Sequence, residues 1–262
     1  MSADRTGTVA NRASRTGDTH QLEGLALRTN ELTAGYANSP VVHGVTISVA
    51  PGEVVSIVGP NGSGKSTLLK AIVGVAQTLG GSVLVGEQDV TNWHSDRIAR
   101  LGVGYVPQVD DVFAPLTVGE NLDMGGYVLH TRALTERTQR VLEVFPQLAG
   151  MLSRRAGKLS GGERKMLAMG RALIPDPGLV VLDEPTANLA PAVAATVLNE
   201  HVPRLSATGA SVLIVEQRAR AVLAVSDRTY VLGGGKVRME GTPSELAESR
   251  EFVESFLGGS AS

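Results

Sequence analysis

Short apolar runs and longer stretches with helical spacing alternate along most of this chain. VVHGVTISV, a PGE turn and VVSIVG predict strand, turn, strand, and KSTLLKAIVG predicts a helix directly after. GSVLVGEQDV predicts a hairpin-type strand pair, and GVGYVP a further strand. From about residue 109 to 172 the texture changes. LTVGENLDMGG, LTERTQRVLEVFPQL and GERKMLAMGRALI all have helical spacing, with no strand-like run between them. GLVVLDEP and ASVLIVEQ then read as two short buried strands separated by a helix, PAVAATVLNEHVPRL. Pro191 suits the first turn of that helix, and Pro203 is expected to end or bend it. RTYVLGGGKVRMEG predicts a glycine-turned hairpin, and SELAESREFVESFL a terminal amphipathic helix. The alternation predicts an α/β fold with a largely parallel sheet, into which 109–172 is inserted as a helical subdomain.

The 262 residues allow one large domain with a sizeable core. Apolar content of 42% and charged content of 19% are ordinary for a globular protein. With a net charge of −2, nothing suggests nucleic acid or an anionic membrane as a bulk electrostatic partner, and no nucleic acid is expected. The absence of cysteine removes disulfides, thiolate catalysis and iron–sulfur clusters, and suits a cytosolic compartment. No apolar run approaches the ~18 residues of a membrane span. Residues 1–22 lack an apolar signal core, Ser2 excludes N-myristoylation, and their Ser, Thr, Gly and Arg content predicts a disordered tail. The folded domain is expected over 23–258, with 259–262 as a second tail.

GPNGSGKST (59–67) follows the strand VVSIV and opens a helix, matching the P-loop pattern in the context that pattern requires. Asn61, Gly62, Ser63 and Gly64 let backbone N–H groups curl around an anion, aided by the helix N-terminus. Lys65 reaches the β- and γ-phosphates, Ser66 ligates Mg²⁺, and Thr67 completes the motif. In GLVVLDEP an apolar strand carries Asp183 to its end, where the carboxylate can hold Mg²⁺ through water. Glu184, one residue beyond, can orient or deprotonate the attacking water. These two motifs leave kinases, GTPases and many ATPases open. In KLSGGERKMLAMGRAL, Ser160, Gly161 and Gly162 precede a helix with Glu163 in its first turn, making a second anion-receptive N-terminus. Two phosphate-seeking helix ends with one Asp-Glu pair imply a nucleotide shared between two surfaces.

LSGGE, shortly before LVVLDEP and well after GPNGSGKST, is similar to the signature of ATP-binding cassette ATPases, the motor subunits of ABC transporters. The resemblance covers nearly everything from about residue 28 to 258. It implies a RecA-like P-loop NTPase core with a mixed β-sheet and an inserted helical subdomain. It also implies roles: Tyr36 stacks on adenine, Gln108 touches Mg²⁺ and reports to the membrane partner, and Glu184 is the general base. Ser160, Gly161, Gly162 and Glu163 would contact the γ-phosphate of ATP held by the other cassette. Where most cassettes place a histidine on the γ-phosphate, this chain has Gln217, which can donate a hydrogen bond but carries no positive charge. Gln217 is thus expected to sense the γ-phosphate, while Glu216 is expected to face the subdomain interior or solvent.

Asn188, Leu189 and Ala190 stand where the family often has an Ala-Leu-Asp turn. With IVEQ, LTVGENLDMGG (116–126) and a terminal FLGG, that segment resembles cassettes of importers for branched-chain amino acids and their relatives for urea and short amides. The resemblance implies ATP and Mg²⁺ as ligands and a second cassette, identical or related, as partner. It also implies separate transmembrane permease subunits, an indirect link to an extracytoplasmic solute-binding protein, and attachment to the inner membrane face. A soluble cassette of translation or DNA repair would usually carry tandem cassettes or long coiled-coil inserts, and neither is here. A kinase or switch GTPase would leave LSGGE without a role, and a guanine-specific Asn-Lys-x-Asp motif is missing.

Overall fold

The structure is a computed structural model and describes residues 21–109, 111–127 and 129–258. The tail expected over 1–22 falls outside these residues except at its end, and 259–262 lies outside them altogether. Leu22 departs from that expectation. Its N–H donates to the Thr208 carbonyl at 2.6 Å, and its side chain packs against the core.

The strands are β1 (Leu27–Tyr36), β2 (Ser39–Val49), β3 (Val54–Val58), β4 (Gln77–Val85), β5 (Gln88–Asp89), β6 (Val103–Val106), β7 (Leu179–Asp183), β8 (Ser211–Glu216), β9 (Arg228–Gly233) and β10 (Lys236–Gly241). They form a four-stranded antiparallel sheet, β2-β1-β4-β5, and a six-stranded mixed sheet, β10-β9-β3-β8-β7-β6, in which only β10 runs antiparallel. Every residue of β3, β7 and β8 is buried, as befits central parallel strands covered on both faces. Alternation along these strands splits the interior into two cores. Val54, Val58, Val180, Leu182, Val212 and Ile214 pack against helices, while Val55, Ile57, Leu179, Val181, Leu213 and Val215 face the antiparallel sheet.

Helix α1 (Lys65–Ile72) follows β3 and lies in the second core with Leu68, Leu69 and Ile72. A short α2 (Ser95–Arg100) precedes β6. Between β6 and β7 come α3 (Val118–Gly125), α4 (Thr131–Val144), a 3₁₀ turn at Pro146–Met151 and α5 (Gly161–Leu173). Among the described residues of this stretch, the only β pairing is a lone bridge between Thr117 and Arg155. Helices α3 and α5 both open with capping boxes, Thr117–Glu120 and Ser160–Glu163.

The structure refines two local expectations and adds a strand. The helix does not end at Pro203: α6 (Pro191–Thr196) passes into a π turn, Val197–His201, and α7 (Val202–Ser206) continues beyond it. The proline cannot donate to a helical carbonyl, and the wider turn just ahead of it lets the helix run on. After α8 (Ala219–Leu223) and the β9–β10 hairpin, the terminal helix is interrupted. Ser249 is extended between α9 (Pro243–Glu248) and α10 (Arg250–Phe252), and its hydroxyl caps the second piece at Phe252 N–H. Strand β1 was not legible in the sequence: three register shifts against β2, at Thr29/Leu32, Leu32/Ala34 and Ala34/Gly35, interrupt its alternation, and Thr29 sits in the core. Thr29 is satisfied there, donating to the Val45 carbonyl at 2.9 Å and accepting from Ile47 N–H at 3.0 Å. Among the described residues, no helix is long and apolar enough to cross a membrane.

Candidate functional site

The loop from β3 to α1 turns on two glycines in the left-handed region, Gly62 (φ 74°) and Gly64 (φ 99°). Gly64 is the N-cap of α1 and offers no side chain to the first-turn amides, and no acidic residue lies in that first turn. The helix mouth is therefore built for an external anion. The Ser63 hydroxyl is buried without a hydrogen-bond partner, a second sign that this loop is shaped for a ligand. A cavity of about 190 Å³ lies here, lined by Val41, Asn61, Gly62, Gly64, Lys65, Ser66, Thr67 and Glu184.

Lys65 is buried and folds back onto its own loop, donating to the carbonyls of Gly59 (2.9 Å) and Pro60 (3.0 Å), with Glu184 Oε1 at 3.9 Å. Burial lowers its pKa, and the carboxylates of Glu184, Asp183 and Glu216 only partly oppose that. Ser66 donates to Asp183 Oδ1 at 3.0 Å, and the Tyr105 hydroxyl reaches Asp183 Oδ2 at 3.4 Å. Burial, with help from neighbouring Glu184, pushes the Asp183 carboxyl above its ordinary value; Ser66, Lys70 and Tyr105 pull the other way. A hydroxyl and a carboxylate oxygen side by side are the hard ligands Mg²⁺ prefers. Among the described residues no cluster of three or more His, Cys, Asp or Glu side chains could hold a metal. A cation at Ser66 and Asp183 would thus complete its shell with phosphate and water oxygens.

Glu184 takes a left-handed backbone (φ 44°) while its N–H continues the sheet ladder to the Val215 carbonyl at 3.0 Å. A non-glycine residue there stores on the order of 1 kcal/mol of strain, a feature that gathers at working sites. Its Oε2 accepts from two amides, Gln108 Nε2 at 2.9 Å and Gln217 Nε2 at 3.0 Å. Gln108, expected beside the metal, and Gln217, expected beside the γ-phosphate, thus both rest on the same carboxylate oxygen in this structure. Of the two surroundings expected for Glu216, subdomain interior or solvent, burial rules out the solvent. Glu216 is buried at the end of β8, where it accepts from Thr186 N–H at 2.9 Å and Gln217 N–H at 3.2 Å. Through the Thr186 amide it secures the turn after Glu184. Burial raises its pKa, against the pull of those hydrogen bonds.

Tyr36 ends β1 and, with Ser39, flanks a two-residue turn whose central residues, Ala37 and Asn38, both have positive φ. It is half exposed and lies beside the strand that brings Val41 to the cavity, without lining the cavity itself. Ser160, Gly161, Gly162 and Glu163 do not line it either. The Ser160 hydroxyl accepts from Glu163 N–H, Glu163 returns to Ser160 N–H at 2.6 Å, and Arg154 pairs with Glu163 at 3.1 Å. The Ser160 N–H first, and Arg154 further, hold the Glu163 carboxyl below its ordinary value. The amides of Gly161 and Gly162 remain at the helix mouth, where no intrahelical acceptor exists.

Sequence reasoning missed two contributors. Tyr105, in a strand recognised only as apolar, supports Asp183. Lys165, in the helical stretch GERKMLAMGRALI, is buried with its Nζ 3.0 Å from the Gln108 carbonyl and 2.7 Å from Asp111 Oδ2. Neither carries a motif that marks it beforehand.

Residues 42–187 match the ABC transporter family. A probable branched-chain amino acid transport ATP-binding protein LivF from Archaeoglobus fulgidus is 39% identical over 88% of this chain and 98% of its own length. BraG of Pseudomonas aeruginosa, a high-affinity branched-chain amino acid transport ATP-binding protein, is 37% identical over 89% of this chain and all of its own. A crystal structure of an ATP-binding cassette of an ABC transporter in its ADP conformation superposes with a TM-score of 0.80, at 32% identity, over 89% of this chain and 99% of that one. P-loop, aspartate–serine pair and capped LSGGE helix thus stand on a shared fold, and the chain belongs to the ABC transporter family as one of its ATP-binding, ATP-hydrolysing cassettes.

Proposed function

We propose that two copies of this chain, or one copy and a related cassette, close head to tail on two ATP molecules. Each nucleotide would lie between the P-loop of one subunit and Ser160–Gly162 of the other. The observation that carries this reading is the division of the phosphate-binding groups. The cavity at Lys65 and Glu184 receives nothing from residues 160–163 of its own chain, while those residues form a separate capped helix mouth. Asn61, Gly62, Ser63, Gly64 and Thr67 cradle the phosphates, Lys65 leaves its loop carbonyls for the β- and γ-phosphates, and Tyr36 stacks on adenine. Ser66 and Asp183 would hold Mg²⁺, which when bound would supply charge neutralisation at the phosphates. Glu184 takes the proton of the attacking water at the carboxylate that Gln108 and Gln217 orient. Positioning and charge supply most of the acceleration, since phosphoryl transfer needs little covalent help.

The solute class follows from the relatives rather than from the site: import of branched-chain amino acids or similar small polar solutes, by permease subunits on separate chains at the inner membrane face. An apolar surface suits such a partner. Val109 is 62%, Phe113 44%, Met124 44% and Tyr127 72% exposed, and Val109 follows Gln108 directly. A partner pressing there would touch the loop that carries a ligand of Glu184.

Glu184→Gln tests the reading. With saturating MgATP the variant is expected to sediment as a stable ATP-loaded dimer that turns over at least about a hundred times more slowly than wild type. A variant that stays monomeric and still hydrolyses ATP rejects both the shared site and the base. Co-expression with adjacent permease genes, with amino-acid-stimulated turnover as readout, tests the solute.

A further inference from the structure

We infer that Lys165 is a positioning residue for hydrolysis: its ammonium group sets the main chain at Gln108 so that the Gln108 amide meets Glu184. The inference rests on the reading of Glu184 as the base.

Gln108 is engaged at both ends. Its carbonyl accepts from Lys165 at 3.0 Å, and its side-chain amide donates to Glu184 Oε2 at 2.9 Å. A single residue therefore links α5 to the carboxylate at the cavity. Lys165 is only 5% exposed, on a helix whose Met166, Leu167 and Met169 pack in the core. Burying an ammonium there is costly unless its protons are bonded, and a third methionine would pack at lower cost. What the lysine gains in exchange is the loop: the Gln108 carbonyl and the buried carboxylate of Asp111 at 2.7 Å. The far end of that loop is held independently. Asn121, fully buried on α3, accepts from Phe113 N–H at 2.8 Å and donates to the carbonyls of Phe113 (3.1 Å) and Thr117 (2.8 Å). The loop is thus pinned near both ends, and Lys165 governs the end next to Glu184. Because α5 also opens with Ser160, the helix that meets the partner's nucleotide carries the group that holds Gln108.

Lys165→Met alone would strand a buried carboxylate, so the test uses Lys165→Met/Asp111→Asn, which removes both charges together. Steady-state MgATP hydrolysis and thermal melting are measured on the full chain. The pair is expected to lower kcat about tenfold with KM changed less than about twofold, because Gln108 does not line the cavity that holds the P-loop residues. Lys165→Arg, which keeps a charged donor, is expected to retain most of the rate. In a Gln108→Ala background the same pair should have no further effect on kcat. A pair that melts near wild type and keeps its kcat overturns the inference, as does a tenfold loss undiminished in the Gln108→Ala chain. Should Glu184→Gln turn over normally, the base assignment falls, while the Lys165–Gln108 cycle still reports whether the two residues act as one.

Discussion

The side-chain amide of Gln217 lies 3.0 Å from Oε2 of Glu184, the oxygen that Gln108 also holds, at 2.9 Å. Two uncharged donors thus fix a carboxylate at the edge of the nucleotide cavity. A glutamine in this place orients its neighbour without adding charge.

Loss of Gln217 is therefore expected to misplace the carboxylate and not to remove it. Gln217→Ala should lower kcat about tenfold, the scale of one hydrogen bond to a charged group, against at least about a hundredfold for Glu184→Gln. Equal, complete loss of steady-state hydrolysis in both would show that Gln217 acts on the substrate itself.

Lys65 is bonded to carbonyls of its own loop, so its removal is expected to spare the fold and abolish the ligand response. At MgATP a hundred times above Kd, wild type should gain about 2.7 kcal/mol, an upward shift of about 5–10 °C in melting temperature. Lys65→Ala should show none, and a full shift in thermal melts would clear Lys65 of phosphate binding.

Gly161 tests the shared site. A Cβ there would lie 2.5 Å from Leu189 Cδ2, the movable end of a side chain, so Gly161→Ala should fold with little loss. It is expected to keep the MgATP-induced shift, because the P-loop is untouched, and to lose about tenfold or more in turnover. Loss of ATP binding by the lone subunit would place Gly161 in its own chain's pocket.

Glu216 predicts a pH dependence. Burial raises its pKa in the folded state, although the Thr186 and Gln217 amides partly stabilise the anion. A carboxyl with a higher pKa folded than unfolded stabilises most below its unfolded pKa and loses that contribution as pH rises through the folded one. Glu216→Gln escapes this loss and still offers an oxygen to Thr186. Its melting temperature minus that of wild type should therefore grow by a few degrees between about pH 4 and pH 8. A gap that is flat or shrinks with pH would mean that the carboxylate bonds outweigh burial.

Much of the fold was legible beforehand because its central strands bury both faces. VVSIV, LVVLD and SVLIVE are nearly continuous apolar runs, and their lengths and flanking turns leave no other assignment. Strand β1 escaped because its pairing is bulged and its core includes Thr29, whose polarity is satisfied only by neighbouring β2. The break at Ser249 escaped because helical spacing persists across it while the backbone does not.

The sequence alone determined the local chemistry: a glycine loop before Lys65 and Ser66, an apolar strand delivering Asp183 and Glu184, and Ser160 capping a helix. These depend on residues adjacent in the chain, where spacing dictates geometry. Tertiary structure alone decided what surrounds Glu184. Gln108 and Gln217 lie 76 and 33 residues away from it in the chain, and Lys165 lies 57 from Gln108. No local pattern encodes a distance of 3 Å between such residues; parallel strands set side by side in register, and α5 packed across the loop after β6, bring them there.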